Sequence, residues 1–132
     1  MKWEILQFID VVLLSKDDLI GFEDKLSLIT HHAKVVVMTD GGDGATVYYN
    51  GQSFHFPSYP VKEVDPTGAG DIFATTFLYY YSEHQDIAMA AAYAHSAASY
   101  VVEGYGIQLP SKKEIEDRFK LYINKFSIES ID

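Results

Sequence analysis

Two short apolar runs constrain this chain most: Asp10-Val11-Val12-Leu13-Leu14 and Val35-Val36-Val37-Met38-Thr39. A strand wetted on one face alternates apolar and polar residues, whereas an unbroken β-branched run suits a strand covered on both faces. Between the runs, Ser15 fits an N-cap, and Asp17 and Asp18 would fall in the first turn of a helix reaching about His31. Leu19, Phe22, Leu26 and Ile29 recur at helical spacing and are the predicted buried stripe. Strand, helix and strand in this order form a βαβ unit, so the two strands are predicted to be parallel and the fold to be α/β.

The remaining pattern extends that frame. Ala45 to Tyr49 and Gln52 to Phe56 flank Asn50-Gly51, the favoured pair for a type I′ hairpin turn. Pro57, Pro60 and Pro66 keep the next stretch extended and irregular. Helices are predicted from Asp71 to about Glu83 and from Asp86 to Val102, the second rich in alanine and closed by Gly104-Tyr105-Gly106. Ser111 and Glu114 have capping-box spacing and open a last helix to about Lys125, with Ile115, Phe119, Tyr122 and Ile123 on its apolar side. Residues 1–126 read as one domain, and the tail 127–132 is expected to be poorly ordered.

Composition removes several classes of function. The net charge of −9, with Arg118 the one arginine, argues against a nucleic-acid partner, since backbone binding needs clustered Lys and Arg. A bound phosphate would therefore depend on backbone amides, a helix terminus or a metal ion. The absence of cysteine excludes disulfides, thiolate metal sites and a thiol nucleophile, and agrees with a cytoplasmic protein. No apolar run has the length of a membrane span, and Met1-Lys2-Trp3-Glu4 does not begin a signal peptide.

Chemistry concentrates in two stretches. In Asp65-Pro66-Thr67-Gly68-Ala69-Gly70-Asp71, Gly68 and Gly70 let backbone amides approach an anion at the start of a helix, whose dipole adds positive charge. Asp71 would lie in the first turn beside that pocket. An anion hole next to a carboxylate is what phosphoryl transfer to a hydroxyl requires. The plainer alternative is an Asp-Pro turn followed by a capping carboxylate. The second stretch, Thr39-Asp40-Gly41-Gly42-Asp43-Gly44, follows a parallel strand, where α/β sheets put their ligands. It lacks the Gly-Lys-Ser/Thr of a Walker loop and the ligand spacing of a calcium loop, and taken alone it also fits a structural turn. His95, on the alanine-rich helix, has core packing as its ordinary reading.

Together these stretches resemble the PfkB (ribokinase-like) family of carbohydrate and nucleoside kinases. Asp65 to Asp71 with Phe73 is similar to that family's second signature. Thr39-x-Gly41-x-x-Gly44 followed by a hairpin resembles its nucleotide-binding loop. The alanine-rich helix, Gly106 and Pro110 keep the family's order, so the resemblance runs from about Asp10 to Phe126. It implies the C-terminal portion of a ribokinase-like Rossmann-type three-layer sandwich, with residues 1–126 as its ATP-binding portion.

By the same resemblance, Asp71 is the general base and Gly68, Ala69 and Gly70 form the anion hole over the γ-phosphoryl group. Thr39 to Gly44 line ATP, and His95 stands where the family often has an asparagine near adenine. Ser15-x-x-Asp18 stands in for the family's magnesium-organising Asn-x-x-Glu, with Asp18 as a magnesium-site candidate. Asp65, Thr67 and the Val101–Gly106 turn match positions near potassium in members that use it. The implied reaction transfers the γ-phosphoryl of ATP, with magnesium, to a hydroxyl of a sugar or nucleoside. Thr75-Thr76 departs from the usual small pair after the signature. The larger departure is length, because nothing corresponds to the N-terminal half that carries most sugar contacts and the lid. Two expectations follow: a kinase portion that self-associates or pairs with a missing half, and, as the alternative, a non-catalytic nucleotide-binding or interaction protein that keeps the fold.

Overall fold

A computed structural model describes residues 10–104 and 109–131. The chain divides after Phe56 into two compact units. The first is a four-stranded mixed sheet in the order β1-β2-β3-β4: β1 (Val11–Ser15), β2 (Val35–Thr39), β3 (Ala45–Tyr49) and β4 (Gln52–Phe56). β1 and β2 are parallel, and β2, β3 and β4 are successively antiparallel. The register aligns Val12, Val36 and Tyr48 across three strands, and Leu14 with Met38. These side chains share one face and pack with Leu19, Leu26, Ile29 and Ala33. Val35 and Val37, of the opposite parity, are as fully buried as Val36, as the unbroken apolar run predicts. Each such valine contributes about 1.5–3 kcal/mol by leaving water. The hairpin turn is the expected one, with Asn50 at φ 53° and Gly51 at φ 72°.

The expected helix from Ser15 to His31 is corrected. The segment forms two 3-10 turns, Lys16–Leu19 and Glu23–Lys25, and only then a short helix α1 (Leu26–His32). Gly21 takes φ 85°, a left-handed conformation that ends any right-handed helix, and the Phe22 N–H turns back to the Leu19 carbonyl at 2.7 Å. Phe22 therefore leaves the stripe and is 57% exposed, while Leu19 and Ile29 stay buried.

The second unit holds α2 (Ala69–His84), α3 (Ile87–Glu103) and α4 (Lys112–Lys125). α3 is its centre, with Ala90 to Ala94, Ala97 and Val101 buried. The small side chains let helices pack closely, and large rings fill the gaps that remain. Tyr80 of α2 stacks on Tyr93 of α3 at 3.8 Å, and Tyr93 stacks on Phe119 of α4 at 3.8 Å. Burial, then the nearby Glu116 carboxylate, pushes the Tyr93 hydroxyl well above its usual range. Asp86 caps α3 by accepting the Ala88 and Met89 N–H groups at 3.0 and 3.1 Å, and the Ile131 N–H of the tail reaches the same oxygen at 3.3 Å. The capping box at Ser111 and Glu114 forms as expected. Tyr105 and Gly106, part of the expected turn after α3, lie outside the described residues.

Candidate functional site

The glycine loop leaves the C-terminal end of β2. Its backbone closes on itself: the Asp40 N–H donates to the Gly44 carbonyl at 2.8 Å, the Asp43 N–H to Asp40 at 2.9 Å, and the Gly44 N–H to Gly41 at 3.2 Å. Gly41 at φ 51° and Gly44 at φ 96° supply the left-handed geometry that this tight turn needs. A Cβ built on Gly41 or Gly42 would meet nothing within 4 Å, so the outer face of the loop has room for a ligand.

Because the register pairs Ser15 with Thr39, the loop after β1 emerges beside the glycine loop. Asp18 is held there by a capping box, its Oδ2 accepting the Ser15 N–H at 2.8 Å and its own N–H donating to Ser15 Oγ at 3.3 Å. Lys16 lies at this edge too, with Nζ 3.6 Å from Asp40 Oδ2. The residue reading missed Lys16. The available signal was a cation directly after a strand that ends at the same sheet edge. A cavity of about 680 Å³ in this unit is bordered by Lys34, Tyr48, Tyr49 and Asn50, at the opposite end of β2 and β3, and so is not part of this site.

The second unit carries the other candidate. Asp65 Oδ1 accepts the Thr67 N–H at 3.0 Å, an Asx turn that bends the chain into α2. Gly68 stands at the N-cap with φ 85°, a position that favours glycine. The Ala69 N–H donates to the Pro66 carbonyl at 3.0 Å, so of the three candidate anion-hole residues Ala69 has its amide already committed. Gly70 and Asp71 are the second and third residues of a 16-residue helix, where amides have no intrahelical acceptor and the dipole is positive. Asp71 is exposed, and a Cβ on Gly70 would meet nothing within 4 Å. Phe73 anchors this turn from beneath, buried and 4.8 Å from the His95 ring. His95 is itself buried, stacked at 5.8 Å on Tyr122, whose hydroxyl donates to the Pro57 carbonyl at 2.6 Å.

Metal chemistry has limited support from side chains. Among the described residues, no group of three or more His, Asp or Glu could hold a metal ion. Magnesium bound with a nucleotide needs only one or two carboxylates besides the phosphates, a demand that Asp18 can meet through its remaining carboxylate capacity. The Asp65 and Thr67 pair is already bonded internally, and residues 105 and 106 of the matching turn lie outside the described residues. No helix among the described residues is long and apolar enough to cross a membrane.

A glycine loop at the end of a parallel strand, and a glycine-capped helix start, are each features with which α/β proteins can bind phosphate. The family model for pfkB carbohydrate kinases matches residues 21–114, and the chain belongs to that family. Ribokinase of Bacillus subtilis is 36% identical over 93 residues, covering 69% of this chain and 31% of the relative. A putative ribokinase II of E. coli, solved in complex with ATP and Mg2+, superposes with a TM-score of 0.78 at 27% identity, covering 90% of this chain and 42% of that one. A nucleoside kinase of Burkholderia thailandensis, solved in complex with inosine, gives a TM-score of 0.81 at 23% identity, covering 92% and 43%. The chain thus has the α/β fold of ribokinase-like proteins, over less than half the length of each of these three.

Proposed function

We propose that this chain is the ATP-binding portion of a carbohydrate or nucleoside kinase, with residues 1–126 forming that portion. The observation that carries the reading is the start of α2, where a left-handed Gly68 turns the chain so that the Gly70 amide and the Asp71 carboxylate share one exposed helix terminus. In the proposed reaction, the helix terminus at Gly68 to Gly70 stabilises charge on the γ-phosphoryl group. Asp71 accepts the proton of the acceptor hydroxyl as the hydroxyl oxygen bonds to the γ-phosphorus and the bond from that phosphorus to the β-phosphate oxygen breaks, with ADP leaving. The loop Thr39 to Gly44 binds the rest of the nucleotide, Lys16 adds positive charge at its edge, and His95 supports the adenine side from the core. When bound, magnesium would neutralise charge on the phosphates, and Asp18 would help to hold it. Potassium near Asp65 and Thr67 is a further element of the proposal, as is a cytoplasmic location. The acceptor, a sugar or nucleoside hydroxyl, is held by residues beyond this stretch, in keeping with the 31% share of the ribokinase relative that the chain spans.

The test uses Asp71. In an active form of the protein, Asp71→Asn is expected to lower kcat by a factor of about 10²–10⁴ with nucleotide affinity nearly unchanged, the range for loss of a general base. Full activity in Asp71→Asn would remove Asp71 from the role. If the chain binds magnesium-ATP but no form of the protein transfers phosphate, a non-catalytic nucleotide-binding role stands instead.

A further inference from the structure

The single arginine of the chain ties together the segments that lead into the α2 turn. Arg118 of α4 donates from Nη1 to Glu103 Oε1 at 2.6 Å and to Ser99 Oγ at 2.9 Å, both near the end of α3. Its guanidinium lies over the Tyr100 ring at 3.7 Å and near the Tyr59 ring at 5.0 Å. Tyr59 belongs to the connection that becomes Asp65 to Gly68. Arg118 is 16% exposed and Glu103 33%, so this is a partly desolvated pair with stacking on two aromatic faces, geometry a lysine cannot reproduce. Between Tyr100 and Glu103, the Val102 carbonyl accepts two amides, from Val64 at 2.7 Å and from Asp65 at 3.0 Å. Asp65 in turn bonds the Thr67 N–H, and Pro66 bonds the Ala69 N–H.

We infer that Arg118 is a positioning residue: it fixes the end of α3 so that the Val102 carbonyl holds Val64 and Asp65 in the register that sets the Gly68–Asp71 turn. The inference rests on the reading of that turn as the γ-phosphoryl site. The contacts of Arg118 are with Ser99, Tyr100, Glu103 and Tyr59, so its effect on the turn passes through the α3 terminus and Tyr59.

Amide hydrogen exchange on this chain, in the wild type and in Arg118→Met and Arg118→Lys, tests the physical link. The expected result is that Val64 and Asp65 amides exchange about tenfold faster in both variants while the α3 amides of Ala90 to Ala94 keep their protection. Unchanged exchange at Val64 and Asp65, or an equal loss of protection across the unit, would overturn the inference. Should Arg118→Met fail to fold, Tyr100→Leu, which removes the stacking face and the hydroxyl bond to the Glu114 carbonyl, is read the same way. A second arm measures magnesium-ATP and magnesium-ADP affinity. A displaced γ-phosphoryl turn should weaken ATP about tenfold and ADP less than about twofold, whereas a general loss of structure would weaken both alike and count against the role. A wild-type chain that binds neither nucleotide would count against the kinase reading, and the exchange result alone would then decide the role of Arg118.

Discussion

Gly68 shows how one residue type decides a local geometry. At φ 85° it lies where an L side chain meets the following carbonyl, and it does so at the N-cap of the helix that carries Asp71. Gly68→Ala is expected to destabilise the second unit by about 1 kcal/mol, a change that urea titration would read as a lower midpoint with the same slope. A midpoint within error of the wild type would mean that the turn tolerates a side chain. Gly-Ala-Gly-Asp alone marked a helix start with room for an approaching group, while the left-handed turn at Gly68 is a finding of the structure. The commitment of the Ala69 amide to Pro66 was not legible, since it depends on how tightly the Asp65-Pro66 turn closes.

Among the elements, α4 is the one whose boundary the sequence states most clearly, and its cap has a pH signature. The Ser111 N–H donating to Glu114 Oε1 at 2.9 Å, then the Ser111 hydroxyl, hold the Glu114 carboxyl below its ordinary range. A carboxyl depressed in the folded state contributes stability that is present above its unfolded value, about 4.3, and is lost as pH falls through the folded value. Glu114→Gln keeps a side chain that can complete the capping box but cannot titrate. Its urea midpoint is therefore expected to fall less steeply than that of the wild type from about pH 5 downward. Parallel acid limbs for the two proteins would show that the cap contributes nothing to the pH dependence. Capping signals succeed because they are local. The stretch from Ser15 to His31 shows the opposite case: its apolar spacing fits a helix, yet Gly21 breaks it and Phe22 ends exposed. A period of 3.6 over four residues cannot outweigh one glycine placed in the left-handed region.

For the whole molecule, the two sheet edges differ. β4 is polar at the edge, with Gln52, Ser53 and His55 exposed, a composition that discourages pairing. β1 is Val-Val-Leu-Leu-Ser, and among the described residues its one strand neighbour is β2. An apolar edge of this kind invites another strand, and the chain spans about a third of the ribokinase relative. Concentration-dependent self-association is the expected behaviour, and Leu13→Lys should reduce it by adding a charge to the edge strand. Light scattering checks both, and a wild-type monomer at every concentration would refute the pairing.

The sequence by itself determined the features set by near neighbours: the unbroken apolar strands, the Asn-Gly hairpin, the cap at Ser111, and the glycine-bounded turn ahead of Asp71. Each depends on backbone preferences and hydrogen bonds spanning a few residues. Only the tertiary structure decided what Arg118 does. Its partners Tyr59, Ser99, Tyr100 and Glu103 lie far from it along the chain, and nothing in their spacing announces that they converge on one guanidinium. The same holds for the surroundings of His95: only the packing shows that Phe73 and Tyr122 lie against its ring.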